Sequence, residues 1–259
     1  VSDIAFGVLL AAGAFLGTVV MIEVGRRHRR ALIDRGADVE ATVGLGAVEG
    51  AVFALMGLLV AFTFSGAAAR FEARRTLIVD EANDLRTVYL RFDLLPVAAR
   101  ADLQERFRRY VDIRIEAYRL ADEPDAAYAK LDEAAAMENG LWRDALAGCH
   151  ETSDATCATL LLPALNEAFD LATMRRAAVS MHPPSLIFGL LIVVALACAL
   201  LAGFSMGGRP GRSWPHVLGF AAILALTIYV TLDLEYPRLG LMRVSDFDRF
   251  IVAVRAAME

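Results

Sequence analysis

Between Gly44 and Pro96 the chain gives a helix no place to stop. An apolar half runs from Gly44 through Glu49 and Phe53 to Ser65, and a charged half follows with Arg70, Arg74, Arg75, Asp80, Glu81 and Asp84. The join contains one glycine, Gly66, and no proline. A single glycine costs a helix only about 1 kcal/mol against alanine. The stretch therefore predicts one rod, spanning a membrane over residues 44–65 and continuing into water, which would couple a bilayer segment mechanically to a soluble domain.

Helical spacing sorts the apolar half into two stripes. Gly46, Gly50, Ala54, Gly57 and Ala61 recur every three or four residues, the pattern that lets another helix approach closely. Glu49, Phe53, Val60 and Phe64 form a second stripe roughly 90° round the helix. That acidic and aromatic stripe is expected to line a pore or cavity, since an ionisable residue inside a span marks a functional path by default. Glu49 also lies about two turns from the edge of the span, so it can instead reach interfacial water or pair with an arginine of the preceding loop.

The rest of the chain supports a membrane reading. Hydrophobic residues make up 57% of its 259 residues, too many for an ordinary soluble domain. A first apolar run covers 4–22 and is followed by Glu23 and then Arg26, Arg27, Arg29 and Arg30. A cleavable signal would carry its positive charges ahead of a shorter apolar core, so an uncleaved span is expected. Two further spans cover 185–204 and 217–232, joined by a short Gly- and Pro-rich turn. With 44–65, that makes four.

Residues 67–182, between the second and third spans, are different in character. They hold 15 Lys/Arg and 20 Asp/Glu, a difference equal to the whole net charge of −5. Their apolar residues keep helical spacing, as in Leu103, Phe107, Tyr110, Val111, Ile115 and Tyr118, and strand-like alternation is missing. A water-soluble helical bundle is predicted, with helices ending near Pro96, over 97–120, over 125–147 and over 159–180. The tail, 233–259, places Ser245 as an N-cap before an amphipathic helix bearing Phe247, Phe250, Ile251 and Val254. The fold class is thus all-α: four transmembrane helices with a large helical bundle between spans two and three.

Cys149 and Cys157 flank a polar loop between two predicted helices, a spacing that a disulfide can close. Two unpaired thiols are the alternative. A disulfide would belong to an oxidising compartment and would put the bundle outside the cytoplasm. Arginines near the spans divide seven against seven between the two sides. Short loops dominate orientation, so the loops bearing Arg26–Arg35 and Arg209–Arg212 are expected inside a bacterial plasma membrane.

Arg70, Arg74, Arg75, Asp80, Glu81, Asp84, Asp233, Glu235 and Arg238 admit two readings. They can form a charged vestibule beside a pore, or a structural network in which the acids pair with the arginines. No Ser-His-Asp order, phosphate loop or metal-ligand spacing is present, and His28, His150, His182 and His216 are scattered in loops, so neither an enzyme nor a cofactor or metal site is expected. No basic stretch interleaved with aromatics points to nucleic acid.

Several segments together resemble the bacterial bestrophin-like family. They are Phe62-Thr-Phe-Ser65, Arg70-Phe-Glu-Ala-Arg-Arg75, Asp80-Glu-Ala-Asn83, Tyr89 to Pro96, Arg109-Tyr-Val-Asp-Ile-Arg114 and Leu232 to Arg243. The resemblance covers nearly the whole chain except about 124–157. It implies a distant similarity to bestrophins, pentameric channels for small inorganic ions with four spans and a pore lined by the second. Bestrophins narrow at three bulky apolar residues one turn apart, a series that Gly57 interrupts here, and they keep the large domain in the cytoplasm, against the cysteine argument. A homo-oligomeric ion channel is the expected function. A non-conducting membrane sensor or scaffold is the alternative, needing only the small-residue stripe.

Overall fold

The computed structural model describes residues 2–36, 45–120, 123–152, 155–208, 211, 213–236 and 244–258, without the side chains of residues 2–6, Leu45, Ser180 and Ser245. All regular elements among them are helical: α1 (Ser2–Asp34), α2 (Leu45–Arg91), α3 (Val97–Arg119), α4 (Pro124–His150), α5 (Thr156–Ser180), α6 (Ser185–Met206), α7 (Trp214–Glu235) and α8 (Arg249–Ala256). Short 3-10 turns precede Pro96 and α8. The chain divides into two units, Val1–Arg70 with His182–Leu241, and Phe71–Met181 with Met242–Glu259.

Among the described residues, four helices are long and apolar enough to cross a membrane: α1, α2, α6 and α7. All four extend beyond their apolar runs. α1 continues past Ile22 through its arginines to Asp34, because Glu23 accepts from Arg26 and Arg27 at i+3 and i+4 and so supports the helix across the change from apolar to charged sequence. α2 passes Gly66 unbroken for 47 residues. α7 carries Asp233 and Glu235 in its last turn, so these residues belong to the helix rather than to a tail beyond it.

In the first unit α1 packs along both α6 and α7. The crossing with α6 depends on two glycines: a Cβ on Gly25 would strike the Leu200 carbonyl, and one on Gly203 would strike the Ile22 carbonyl. The two backbones therefore touch, as small residues allow in membrane helices. Leu191, Ala195, Leu224 and Ile228 form a small core, with Met56, Leu59 and Val60 of α2 against it.

The second unit has a larger core, drawn from α2 after Arg70, α3, α4, α5 and α8. Phe92, Phe107, Tyr110 and Phe169 form a chain of ring contacts through it, with centroids 5.3, 5.8 and 5.8 Å apart. Cys149 and Cys157 are joined as a disulfide, with Cα atoms 5.4 Å apart, linking α4 to α5. The C-terminal segment is docked: Ile251 and Met258 are buried, and the Met258 carbonyl accepts from Tyr89 Oη at 2.5 Å. Its helix begins at Arg249 with Asp248 as N-cap, whereas Ser245 falls in the preceding 3-10 turn. That turn buries Val244 and packs Phe247 on the core, a tertiary gain that outweighs a local capping preference.

Candidate functional site

The apolar half of α2 divides into two half-cylinders. Val52, Phe53, Met56, Leu59, Val60 and Thr63 are partly covered by the rest of the first unit. Ala47, Gly50, Ala54, Leu58, Ala61 and Phe62 are exposed. Only 6% of this apolar stretch is buried within the chain. A bare apolar face of this length needs lipid or another protein surface against it.

Glu49 falls on the partly covered side, between Met56 and Val60 round the helix, and its Oε2 accepts from Ser205 Oγ at 2.5 Å. The Ser205 carbonyl in turn accepts from Arg29 Nη1 at 3.1 Å. This carboxylate is thus tied to the end of the unit where α1 becomes basic and α6 finishes. Phe53 meets the Phe220 ring edge-on with centroids 6.3 Å apart, and Val60 leans on the small core. Phe64 is 43% exposed. The small-residue stripe, Gly46, Gly50, Ala54, Gly57 and Ala61, lies wholly on the exposed side, and a Cβ on any of its three glycines would meet nothing within 4 Å.

Bulky residues share that side: Val48 at 58%, Leu55 at 51%, Leu58 at 52% and Phe62 at 67% exposure. Leu58 and Phe62 follow Ala54 at four-residue steps, so the pattern that identifies the small-residue stripe also contains them. A search for small residues alone passes over them.

The charged residues beyond the apolar half do not form one constellation. In the first unit Arg70 donates to both oxygens of Glu235, with Nε at 2.9 and 3.1 Å and Nη2 at 2.7 Å. Glu235 has no solvent exposure, and His182 Nδ1 stands 3.3 Å from its Oε1 while the His182 ring stacks on Tyr236. Asp233 is also buried. Arg238 lies outside the described residues.

In the second unit Arg74 donates to the Ala178 and Met181 carbonyls, both at 3.1 Å, satisfying acceptors at the end of α5. Arg75 pairs with Glu72 at 2.7 Å and lies over the Phe247 ring. Asp80 is exposed and Asp84 partly buried. Burial, with help from Glu167 and Asp80 and against Arg91, pushes the Asp84 carboxyl above its usual value.

Glu81 pairs with neither Arg74 nor Arg75. It is buried in the second unit between Arg114 and Arg175, with Tyr118 Oη also on its carboxylate. Arg175 passes on to Asp248 at 3.0 Å, bringing the C-terminal segment into the network. Burial alone would raise the Glu81 carboxyl, but the two guanidinium groups hold it below its ordinary value. Arg114 and Arg175 were legible in the sequence only as charges on helices. Their depth follows from packing that no local pattern encodes.

The arrangement carries ion pairs, a bare apolar face and, among the described residues, no group of three metal-ligating side chains. The apolar face can pack against lipid or another protein surface, and the ion pairs fix the charged helices to one another within each unit.

A bestrophin-like domain model matches residues 8–247. The crystal structure of a tryptophan-to-alanine mutant of a bacterial bestrophin homologue from Klebsiella pneumoniae has a similar fold, with a TM-score of 0.67 at 14% identity, covering 95% of this chain and 97% of that one. No curated protein matches the sequence. With four helices apolar enough to cross a membrane and a family match over almost its full length, the chain belongs to the bestrophin-like family.

Proposed function

We propose that the chain assembles as a ring of identical copies in a bacterial plasma membrane and conducts small inorganic ions along the exposed face of α2. The observation that carries this reading is the half-cylinder of α2 from Gly46 to Ser65 that nothing among the described residues covers. Its glycines and alanines leave room for water and ions between helices gathered round an axis, and Leu58 and Phe62 supply the constriction. Of the residues expected on the path, Phe64 keeps that role at its edge. Glu49, Phe53 and Val60, packed on α6 and α7, hold α2 in register from behind.

The Cys149–Cys157 disulfide supports placing the helical bundle outside the cytoplasm. Labelling of the two thiols by a membrane-impermeant reagent, in intact cells after mild reduction, tests that placement. Labelling only after the membrane is breached would reverse it.

A sensor or scaffold is favoured by one feature, the unbroken passage of α2 from its apolar half into the second unit. Ion flux into liposomes separates the two readings. Flux that changes selectivity or rate in Phe62→Ala supports the channel. Silence from folded, oligomeric protein across chloride and sodium gradients supports the scaffold.

A further inference from the structure

The first unit contains a groove of about 780 Å³ between the C-terminal half of α1 and the start of α7. Its floor is apolar, formed by Val20, Ile22, Met206 and Val217, and Trp214 lines its wall. Its rim is charged, formed by Glu23, Arg26 and Arg27. The two arginines exceed the one acid. Arg27 is 76% exposed and engages Glu23 through Nε at 2.8 Å, while Arg26, 11% exposed, engages the same carboxylate through Nε at 3.2 Å. The first turn of α7, Trp214 to Val217, also lines the groove and adds the positive end of a 22-residue helix to the same rim.

The position along α1 identifies the ligand class. The apolar run of α1 ends at Ile22, and the arginines begin four residues later. The groove straddles that change, so its floor lies at acyl-chain depth and its rim at headgroup depth, where tryptophan and arginine are favoured. A free anion would have no use for the floor. A neutral lipid would have no use for the rim. We propose that this groove is a site for an anionic phospholipid, with one acyl chain along the Val20–Val217 floor and the phosphate held by Arg26, Arg27 and the α7 N-terminus. The site is separate from the exposed face of α2 and does not depend on conduction.

Trp214 provides the readout, because the chain has only one other tryptophan, Trp142. Full-length Trp142→Phe protein is placed in nanodiscs of phosphatidylcholine containing increasing fractions of brominated phosphatidylglycerol or, in parallel, brominated phosphatidylcholine. Half-quenching of Trp214 is expected at an about fivefold lower fraction of the anionic lipid, and Arg27→Gln should bring the two curves together. Arg26→Gln provides a second variant, and both are checked for unchanged thermal unfolding. Coincident curves in the parent protein, or a preference that survives both substitutions, would overturn the assignment. So would loss of the preference in millimolar inorganic phosphate, which would mean a free-anion site. Absence of quenching by either lipid would mean that a second copy covers the groove, and would overturn it equally.

Discussion

The Arg114 guanidinium closes on the Glu81 carboxylate at 2.5 Å, with the two side chains 3% and 0% exposed. Arg175, 5% exposed, takes the other carboxylate oxygen and reaches Asp248. Removing the acid would leave Arg114 buried without a carboxylate and Arg175 with Asp248 alone to offset its desolvation. Glu81→Ala is expected to destabilise the second unit by about 3–5 kcal/mol. Replacing Glu81, Arg114 and Arg175 together by apolar residues of similar volume should cost far less, since no charge remains buried. Denaturant unfolding followed by circular dichroism compares the two.

The acid limb of stability follows from the same network. The folded Glu81 carboxyl lies below its ordinary value of 4.5, so its stabilisation is complete above that pH and is lost as pH falls through the folded value. Glu138 behaves in the opposite sense: burial raises it, although Tyr110 Oη donates to it at 3.1 Å. Its ionised form costs the folded state at neutral pH, and the cost fades as pH falls through the raised value. The unfolding midpoint should therefore hold or rise slightly on going from pH 7 toward pH 5, then drop below about pH 4.5. Glu138→Gln should raise the neutral midpoint and reduce the slight rise, the remainder coming from Asp84, whose carboxyl is also raised by burial. A midpoint that falls steadily from pH 7 would contradict this assignment.

Two glycines of similar sequence setting should differ sharply. Gly203 sits against the Ile22 backbone, whereas a Cβ on Gly57 would meet nothing within 4 Å. Gly203→Val forces α1 and α6 apart and should cost at least the roughly 1–3 kcal/mol of ordinary overpacking. Gly57→Val should leave protomer stability unchanged and alter ion flux or assembly, because its side chain enters the face proposed for the path. Thermal unfolding and liposome flux, measured on both variants, make the comparison.

The disulfide closes a loop eight residues apart in sequence. Loop-closure entropy for a ring of that size gives about 2–3 kcal/mol. Cys149→Ser with Cys157→Ser should lose that amount, and the parent protein in reducing agent should lose the same. No difference between reduced and oxidised protein would count against the bridge.

The Arg70–Glu235 pair joins residues 165 positions apart within the first unit. Glu235 is fully buried but Arg70 is 34% exposed, so solvent screens part of the attraction. A double-mutant cycle with Arg70→Met and Glu235→Gln should return a coupling of roughly 1–3 kcal/mol.

The sequence by itself determined the element types, the four apolar spans and the helical character of residues 67–182. Hydrophobic periodicity and run length are local properties, and a helix satisfies its backbone hydrogen bonds from within. The family, too, was legible, because its motifs are short runs of residues. The partners of the charges were decided by tertiary structure alone. Nothing near Glu81 in the sequence distinguishes Arg114 and Arg175 from Arg74 and Arg75, and only the packing of α2, α3 and α5 brings the first pair to its carboxylate. The same holds for the two faces of α2. Periodicity separates a small-residue stripe from an aromatic one, but which of them turns to α6 and α7 depends on how those helices fill the space beside it. There Phe53 finds Phe220, Val60 finds the small core, and the glycine stripe is left bare.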